Sequence, residues 1–122
     1  WDITITPLDT CGLIRLDGER YARVRDSRDP LVGALIENYR AWSASDKKRK
    51  TNAEDASTTL FDTVAVYLSF SNALCRMERL PIAVTDAGMT LIDQGAGKPM
   101  NVATEWKDIE AFKTFLVDRL VK

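Results

Sequence analysis

A single aspartate in an apolar segment is the first residue whose type and place could do chemistry. Asp62 lies in the run Leu60-Phe61-Asp62-Thr63-Val64-Ala65-Val66, which predicts a largely buried helix. A buried carboxylate is costly unless it is paired, capped or bound to a cation. Asp62 therefore either serves the amino terminus of its helix, where negative charge is favoured, or binds a metal ion. Spacing alone favours the cap.

Other reactive residue types are scarce. The 122 residues include no histidine, which excludes catalytic triads and other sites that use histidine as an acid or a base. The two cysteines, Cys11 and Cys75, lie far apart without C-x-x-C spacing, so they are predicted to be buried thiols. The glycines at 95 and 97 do not lead from a strand into a helix, as a phosphate-binding loop would, and they predict a turn.

The composition is typical of a globular domain. Hydrophobic residues make up 45% of the chain, charged residues 29%, and the net charge is -1, so no overall field attracts nucleic acid or anionic lipid. No apolar run approaches the ~18 residues that span a bilayer. We therefore expect one modest domain over residues 1–122, with neither a nucleic-acid nor a membrane partner. The compartment stays open, with the cytoplasm favoured.

Periodicity assigns helices and strands to most of the chain. In chain order, the predicted elements are a strand over 2–6, a short helix over 17–26, a helix from Pro30 through Trp42, a mobile loop over 44–57 with a solvated basic run at 47–50, a helix from Leu60 to Phe70, strands over 81–85, 89–93 and 100–105, and a helix after Asp108. The first strand has no evident neighbour before residue 81. That gap, and a start already inside a strand at Trp1, favour a chain cut from a longer protein.

Four short segments matter through their order along the chain. They are Thr6-Pro7-Leu8-Asp9-Thr10, Phe61-Asp62-Thr63-Val64-Ala65-Val66, Leu80-Pro81-Ile82-Ala83-Val84 with Gly88, Thr90 and Asp93 after it, and Asn101-Val102-Ala103. In this order they resemble late segments of the calcium-dependent, inosine-uridine preferring nucleoside hydrolase family. The resemblance covers nearly all of the chain. It implies an α/β fold, namely the carboxy-terminal part of a Rossmann-like open sheet with a small antiparallel strand group.

The resemblance also implies roles for particular residues. Asp62 falls on a late calcium ligand of the family, which favours a metal-binding role over a cap, because Ca²⁺ takes six to eight oxygen ligands. Phe61 falls on the family's histidine, and a phenyl ring can neither donate nor accept a proton. Tyr39 and Trp42 fall on a helix that brings aromatic side chains over the nucleobase, although aromatic residues at helical spacing also suit a core. The family's Asp-x-Asp-x-x-x-Asp-Asp cluster, and the Asn and Glu that hold the ribose, have no counterpart here.

The implied function is hydrolysis of the N-glycosidic bond of ribonucleosides by a longer parent protein, with a calcium-bound water as nucleophile. Residues 1–122 alone are then expected to be inactive. The implied partners are a ribonucleoside, the amino-terminal part of the same protein or a companion chain, and, where the protein assembles, further copies of itself. The alternative is a catalytically degenerate protein of the same fold that binds a nucleoside or a sugar. A third interpretation is a complete domain in which Asp62 is only a cap.

Overall fold

The computed structural model describes residues 1–45 and 52–121. Its elements, in chain order, are β1 (Thr4–Ile5), α1 (Leu8–Cys11), α2 (Gly18–Arg25), α3 (Pro30–Ala44), α4 (Phe61–Leu68), β2 (Cys75–Val84), β3 (Thr90–Ile92), β4 (Lys98–Trp106) and α5 (Ile109–Leu120). They fall into two compact units. The first unit comprises Trp1–Leu13 with Phe61–Asp108, and the second comprises Ile14–Leu60 with the chain from Ile109 onward.

The first unit contains a four-stranded mixed sheet in the order β1-β4-β2-β3. β2 is antiparallel to both β3 and β4, whereas β1 runs parallel to β4, with Thr4 opposite Asn101 and Ile5 opposite Val102. The prediction of an α/β fold with an open sheet and an antiparallel strand group is confirmed. The sequence offered β1 no neighbour before residue 81, and the structure supplies one after it.

Strand lengths differ from the predictions because pairing decides them. β2 begins at Cys75, six residues before the predicted start, since its ladder with β4 continues past an irregularity between Arg76 and Met77. β1 spans only Thr4–Ile5, shorter than the predicted 2–6. Local alternation shows where a strand can form, but the partner strand sets where it ends.

The packing of the first unit is centred on α1, which contacts both α4 and β4. Val64 and Tyr67 are the buried residues of α4, and Phe61 and Val66 remain 43% and 64% exposed. The prediction of a largely buried α4 was therefore wrong. Its apolar residues surround the helix, but only one stripe, that of Val64 and Tyr67 three residues apart, is covered.

The second unit packs α2, α3 and α5 around one apolar core. Its buried members are Leu16, Tyr21, Val24, Val32, Ile36 and Val117. The predicted helices over 17–26, from Pro30 and after Asp108 are confirmed in type and position. Arg20 pairs with Glu110 and Arg23 with Asp118 across α2 and α5, but these pairs are exposed and contribute little to stability.

Within residues 1–45 and 52–121, no helix combines the length and the apolar character that a membrane crossing requires. The basic run at 47–50 lies outside the described residues, so its interpretation as solvated surface stays a prediction.

Asp29 caps the amino end of α3, because its carboxylate accepts hydrogen bonds from the backbone N–H groups of Leu31 at 2.8 Å and Val32 at 3.3 Å. Replacing Asp29 by alanine leaves these donors without their partner, and we expect the free energy of unfolding to fall by about 1 kcal/mol. Urea denaturation measures the change. Asp29→Asn keeps an acceptor and serves as the control, so an equal loss in both variants would contradict the capping role.

Candidate functional site

Phe61 and Asp62 lie side by side in the first turn of α4, and both are exposed. The premise of a buried carboxylate at Asp62 was therefore wrong, because the covered stripe of α4 runs through Val64 and Tyr67 instead. An exposed carboxylate in a first helical turn is favoured by the helix dipole and stays in contact with water, so its position alone does not call for a metal. It is also accessible to a cation that other residues would hold.

The backbone of Gly12 fixes how closely the end of α1 approaches α4. A Cβ atom at this position would lie 2.3 Å from the carbonyl oxygen of Leu8 and 3.7 Å from Cε1 of Phe61. A side chain at residue 12 would therefore collide with the preceding turn, whereas it would only touch the Phe61 ring. Glycine lets the chain turn tightly beside the amino end of α4.

Three of the four family-like segments meet around α1 in the first unit. Thr10, in the first segment, donates a hydrogen bond from Oγ1 to the carbonyl oxygen of Ala103 at 2.7 Å. Trp106 in turn donates from Nε1 to the carbonyl oxygen of Thr10 at 2.9 Å. The other side of α1 contacts α4, which carries Phe61 and Asp62. Segments separated by some fifty and ninety residues in sequence are thus neighbours.

The remaining segment, Leu80–Val84 with Gly88, Thr90 and Asp93, forms the end of β2, part of β3 and the turns on either side of β3. The carboxylate of Asp93 accepts hydrogen bonds from the N–H groups of Gly95 at 2.8 Å and Ala96 at 3.0 Å, and these bonds lower the pKa of Asp93. A Cβ atom at Gly97 would lie 2.5 Å from the backbone of Pro81. The prediction of a turn at the glycines is confirmed, and Asp93 has a structural role in it.

Asp62 does not lie in a cluster of potential metal-ligating side chains within the described residues. In the part of the chain that the structure describes, no three His, Cys, Asp or Glu side chains lie close enough to hold a metal ion. A calcium ion takes six to eight oxygen ligands, and Asp62 alone supplies one or two. Calcium at Asp62 therefore remains a prediction.

Tyr39 and Trp42, the predicted substrate contacts, lie together on α3 in the second unit. Their rings stack with centroids 5.9 Å apart and planes 23° apart. The hydroxyl of Tyr39 donates to the carbonyl oxygen of Ala56 at 3.0 Å, and burial raises its pKa. Tyr39 thus has a packing role, while Trp42 is 44% exposed. A contact of either residue with a nucleobase stays a prediction.

Residues 52–57, which we name the strap, are held by the side chains of α2 and α3. Ala53, Ala56 and Ser57 of the strap are buried. Tyr21 donates from its hydroxyl to the Ala53 carbonyl oxygen at 2.5 Å, and Arg40 binds the Glu54 carboxylate through two nitrogens at 2.5 and 2.9 Å. These bonds from Arg40 lower the pKa of Glu54.

Sequence reasoning missed the strap because its main acceptors are backbone carbonyl groups, which no residue type reveals. Of the loop predicted over 44–57, Ala44 ends α3, residues 46–51 lie outside the described residues, and the strap carries the contacts above. The mobility of the loop stays a prediction.

Both cysteines are buried free thiols, as predicted. Cys11 donates from Sγ to the carbonyl oxygen of Thr6 at 3.7 Å, and burial raises the pKa of Cys75. A raised pKa suppresses the reactive thiolate, so Cys75 has a structural role.

No family model matches the chain, and no curated protein matches it.

Asp62→Asn tests the exposed position of this carboxylate. Because Asp62 is exposed, removing its charge costs only its interaction with the helix dipole, and we expect the free energy of unfolding to fall by about 0.3–1 kcal/mol. Chemical denaturation measures this. Asp62→Glu, which keeps the charge, is the matched control. A loss of several kcal/mol would indicate a buried and paired carboxylate instead.

The two tyrosines that hold the strap predict a loss of stability at alkaline pH. Burial raises the pKa of Tyr21 and of Tyr39 above the ordinary value of about 10. The folded chain therefore binds these protons more tightly than the unfolded chain. The contribution of these two tyrosines to the free energy of unfolding is therefore fully present below about pH 10. It is lost as the pH rises through their folded-state pKa values.

Denaturation between pH 8 and 12 measures this decline, and absorbance near 295 nm follows the ionisation of tyrosine. The double variant Tyr21→Phe, Tyr39→Phe is the comparison, and its free energy of unfolding should fall less steeply above pH 10. An unchanged slope would show that other groups cause the decline.

Proposed function

We propose that this chain is the carboxy-terminal portion of a calcium-dependent nucleoside hydrolase, whose complete form hydrolyses the N-glycosidic bond of ribonucleosides. One observation carries the proposal. The segments Thr6–Thr10, Phe61–Val66 and Asn101–Ala103, which resemble that family in order, converge around α1 through a buried hydrogen bond and the packing of α1 against α4.

The role proposed for Asp62 is that of one ligand within a larger set. Its carboxylate is exposed in the first turn of α4 and can therefore meet a cation whose other ligands come from an upstream segment or a companion chain. Calcium, when bound, would supply an activated water and a contact to the ribose hydroxyls. The part of this chain is to present one oxygen donor at a fixed place beside the Phe61 ring.

Phe61 limits which leaving groups the parent enzyme can handle. Its half-exposed ring lies beside Asp62 and has no group that could protonate a departing base. A positioned general acid contributes about 10²–10⁴-fold to a rate. We therefore propose that substrates whose leaving group needs no proton are favoured over those, such as inosine, whose leaving base gains from one.

Calcium-dependent hydrolysis of inosine, uridine and 4-nitrophenyl riboside tests the function. We expect residues 1–122 alone to be inactive, and a protein that also contains the upstream Asp-rich segment to be active with calcium. Asp62→Asn should lower that activity by about 100-fold, which is two steps of 1.36 kcal/mol in the barrier.

Asp86→Asn is the matched control, because Asp86 is also exposed in the first unit and lies in the turn after β2. It should leave the activity unchanged. Hydrolysis by the 122-residue chain above the level of its Asp62→Ala variant would overturn the proposal that the chain is only part of the site.

Phe61→His tests the limit on the leaving group. A histidine at this position could donate a proton, so the rate with inosine should rise by at least about 10-fold, and the rate with 4-nitrophenyl riboside should change little. Phe61→Leu is the control for loss of the ring. An equal effect on both substrates would show that residue 61 acts through packing rather than through the leaving group.

The second candidate is a catalytically degenerate protein of the same fold that binds a nucleoside or a sugar. Phe61 in the place of a proton donor favours it. Calcium titration of the protein with its upstream segment separates the two candidates. Calcium binding without hydrolysis of either the natural or the activated substrate would favour the binding protein, and hydrolysis of the activated substrate alone would favour the enzyme.

A further inference from the structure

A cavity of about 150 Å³ lies within the second unit. Its wall is made of apolar and aromatic side chains from all three helices of this unit and from the chain segments around them. The lining residues that matter here are Leu16, Val24, Leu35, Ile36, Leu60 and Leu120. Leu35 is 51% exposed, so the cavity has an entrance at the surface of α3.

The polar groups at the edge of this cavity already have partners. Tyr21 and Tyr39 donate their hydroxyl protons to the carbonyl oxygens of Ala53 and Ala56 in the strap. Ser57 accepts at Oγ from the N–H of Leu16 at 2.9 Å and donates to the carbonyl oxygen of Thr58 at 2.7 Å. The polar atoms of the strap and of these side chains thus bond to one another. Aromatic and aliphatic surfaces face the cavity. A guest would therefore meet mainly aromatic and aliphatic side chains there.

We propose that this cavity is a binding site for a small, uncharged, apolar molecule of about the size of a benzene ring. An apolar cavity of about 150 Å³ in another protein stays dry and binds benzene or xenon, so size and lining both fit this class of ligand. A charged or heavily hydroxylated molecule would lose its hydration without compensation. The site is independent of the proposed nucleoside chemistry and uses neither Phe61 nor Asp62.

The affinity expected for benzene is modest. Six heavy atoms in an apolar site bind with a dissociation constant on the order of 1 mM. Binding to the folded state alone stabilises that state in proportion to the logarithm of ligand concentration. The thermal midpoint should therefore rise once benzene exceeds the dissociation constant.

The experiment is a methyl NMR titration of the 122-residue chain with benzene, repeated under xenon pressure. We expect saturable shifts at the methyl groups of Val24, Leu35 and Leu60, which line the cavity. The methyl groups of Val64 and Val102, buried in the first unit, should not shift. Shifts that grow linearly without saturation, or that are equal in both groups of methyls, would overturn the proposal.

Two substitutions in the cavity wall act in opposite directions. Val24→Ile adds a methyl group to the space and should weaken benzene binding at least 10-fold. The matched control, Val64→Ile, makes the same change in the first unit and should leave the binding unchanged. Leu60→Ala widens the cavity and should improve the affinity for indole relative to benzene at least 10-fold.

Because the two cavity variants fill and widen the same space, failure of one to fold leaves the other as the test. Affinities that neither variant changes would overturn the site. Asp62→Asn and added calcium should leave benzene binding unaltered, whether or not the proposed hydrolase activity is found. A change with either of them would contradict the independence of the cavity.

Discussion

The buried hydrogen bond from Thr10 Oγ1 to the carbonyl oxygen of Ala103 joins the beginning of the chain to its last strand. It lies directly after the parallel pairing of β1 with β4, and the indole N–H of Trp106 adds a second bond to the same short helix. Since α1 also packs against α4, these bonds determine where Phe61 and Asp62 lie in the first unit. Buried polar groups of this kind are costly to leave unpaired, which gives the arrangement its specificity.

In the second unit, hydrogen bonds from side chains to backbone carbonyl groups hold the strap in place. Tyr21 and Tyr39 belong to the apolar faces of two helices, yet their hydroxyls reach the backbone of the strap. The rings fill part of the core while the polar ends satisfy carbonyl groups that the strap would otherwise bury without partners. The cavity of the second unit lies beside these groups, because Tyr21, Tyr39 and Ser57 all line it.

Asp62 is exposed in the structure, whereas its sequence context predicts a buried carboxylate. The sequence placed it in a helix whose apolar residues surround the axis, so that a buried carboxylate seemed to require a compensating charge. In the structure the covered stripe passes through Val64 and Tyr67, and Asp62 is exposed beside Phe61. Desolvation therefore gives Asp62 no reason to bind a metal, and only the ordered segments that converge around α1 support one.

The sequence by itself determined helices α2 to α5, the fold class and the nature of the cysteines, but not the short helix α1. Pro30 at the start of α3, and the apolar steps of three and four that follow it, are local signals that survive in any tertiary context. The cap at Asp29 was found in the structure, where its carboxylate accepts from the N–H groups of Leu31 and Val32.

Only the tertiary structure decided which face of α4 is covered, which strand pairs with β1 and what holds the strap. Thr4 pairs with Asn101 although the two residues lie far apart in the sequence, and no local pattern encodes that register. The acceptors in the strap are carbonyl oxygens, which every residue carries alike. A site built from distant segments depends on these contacts, and they exist only in the folded chain.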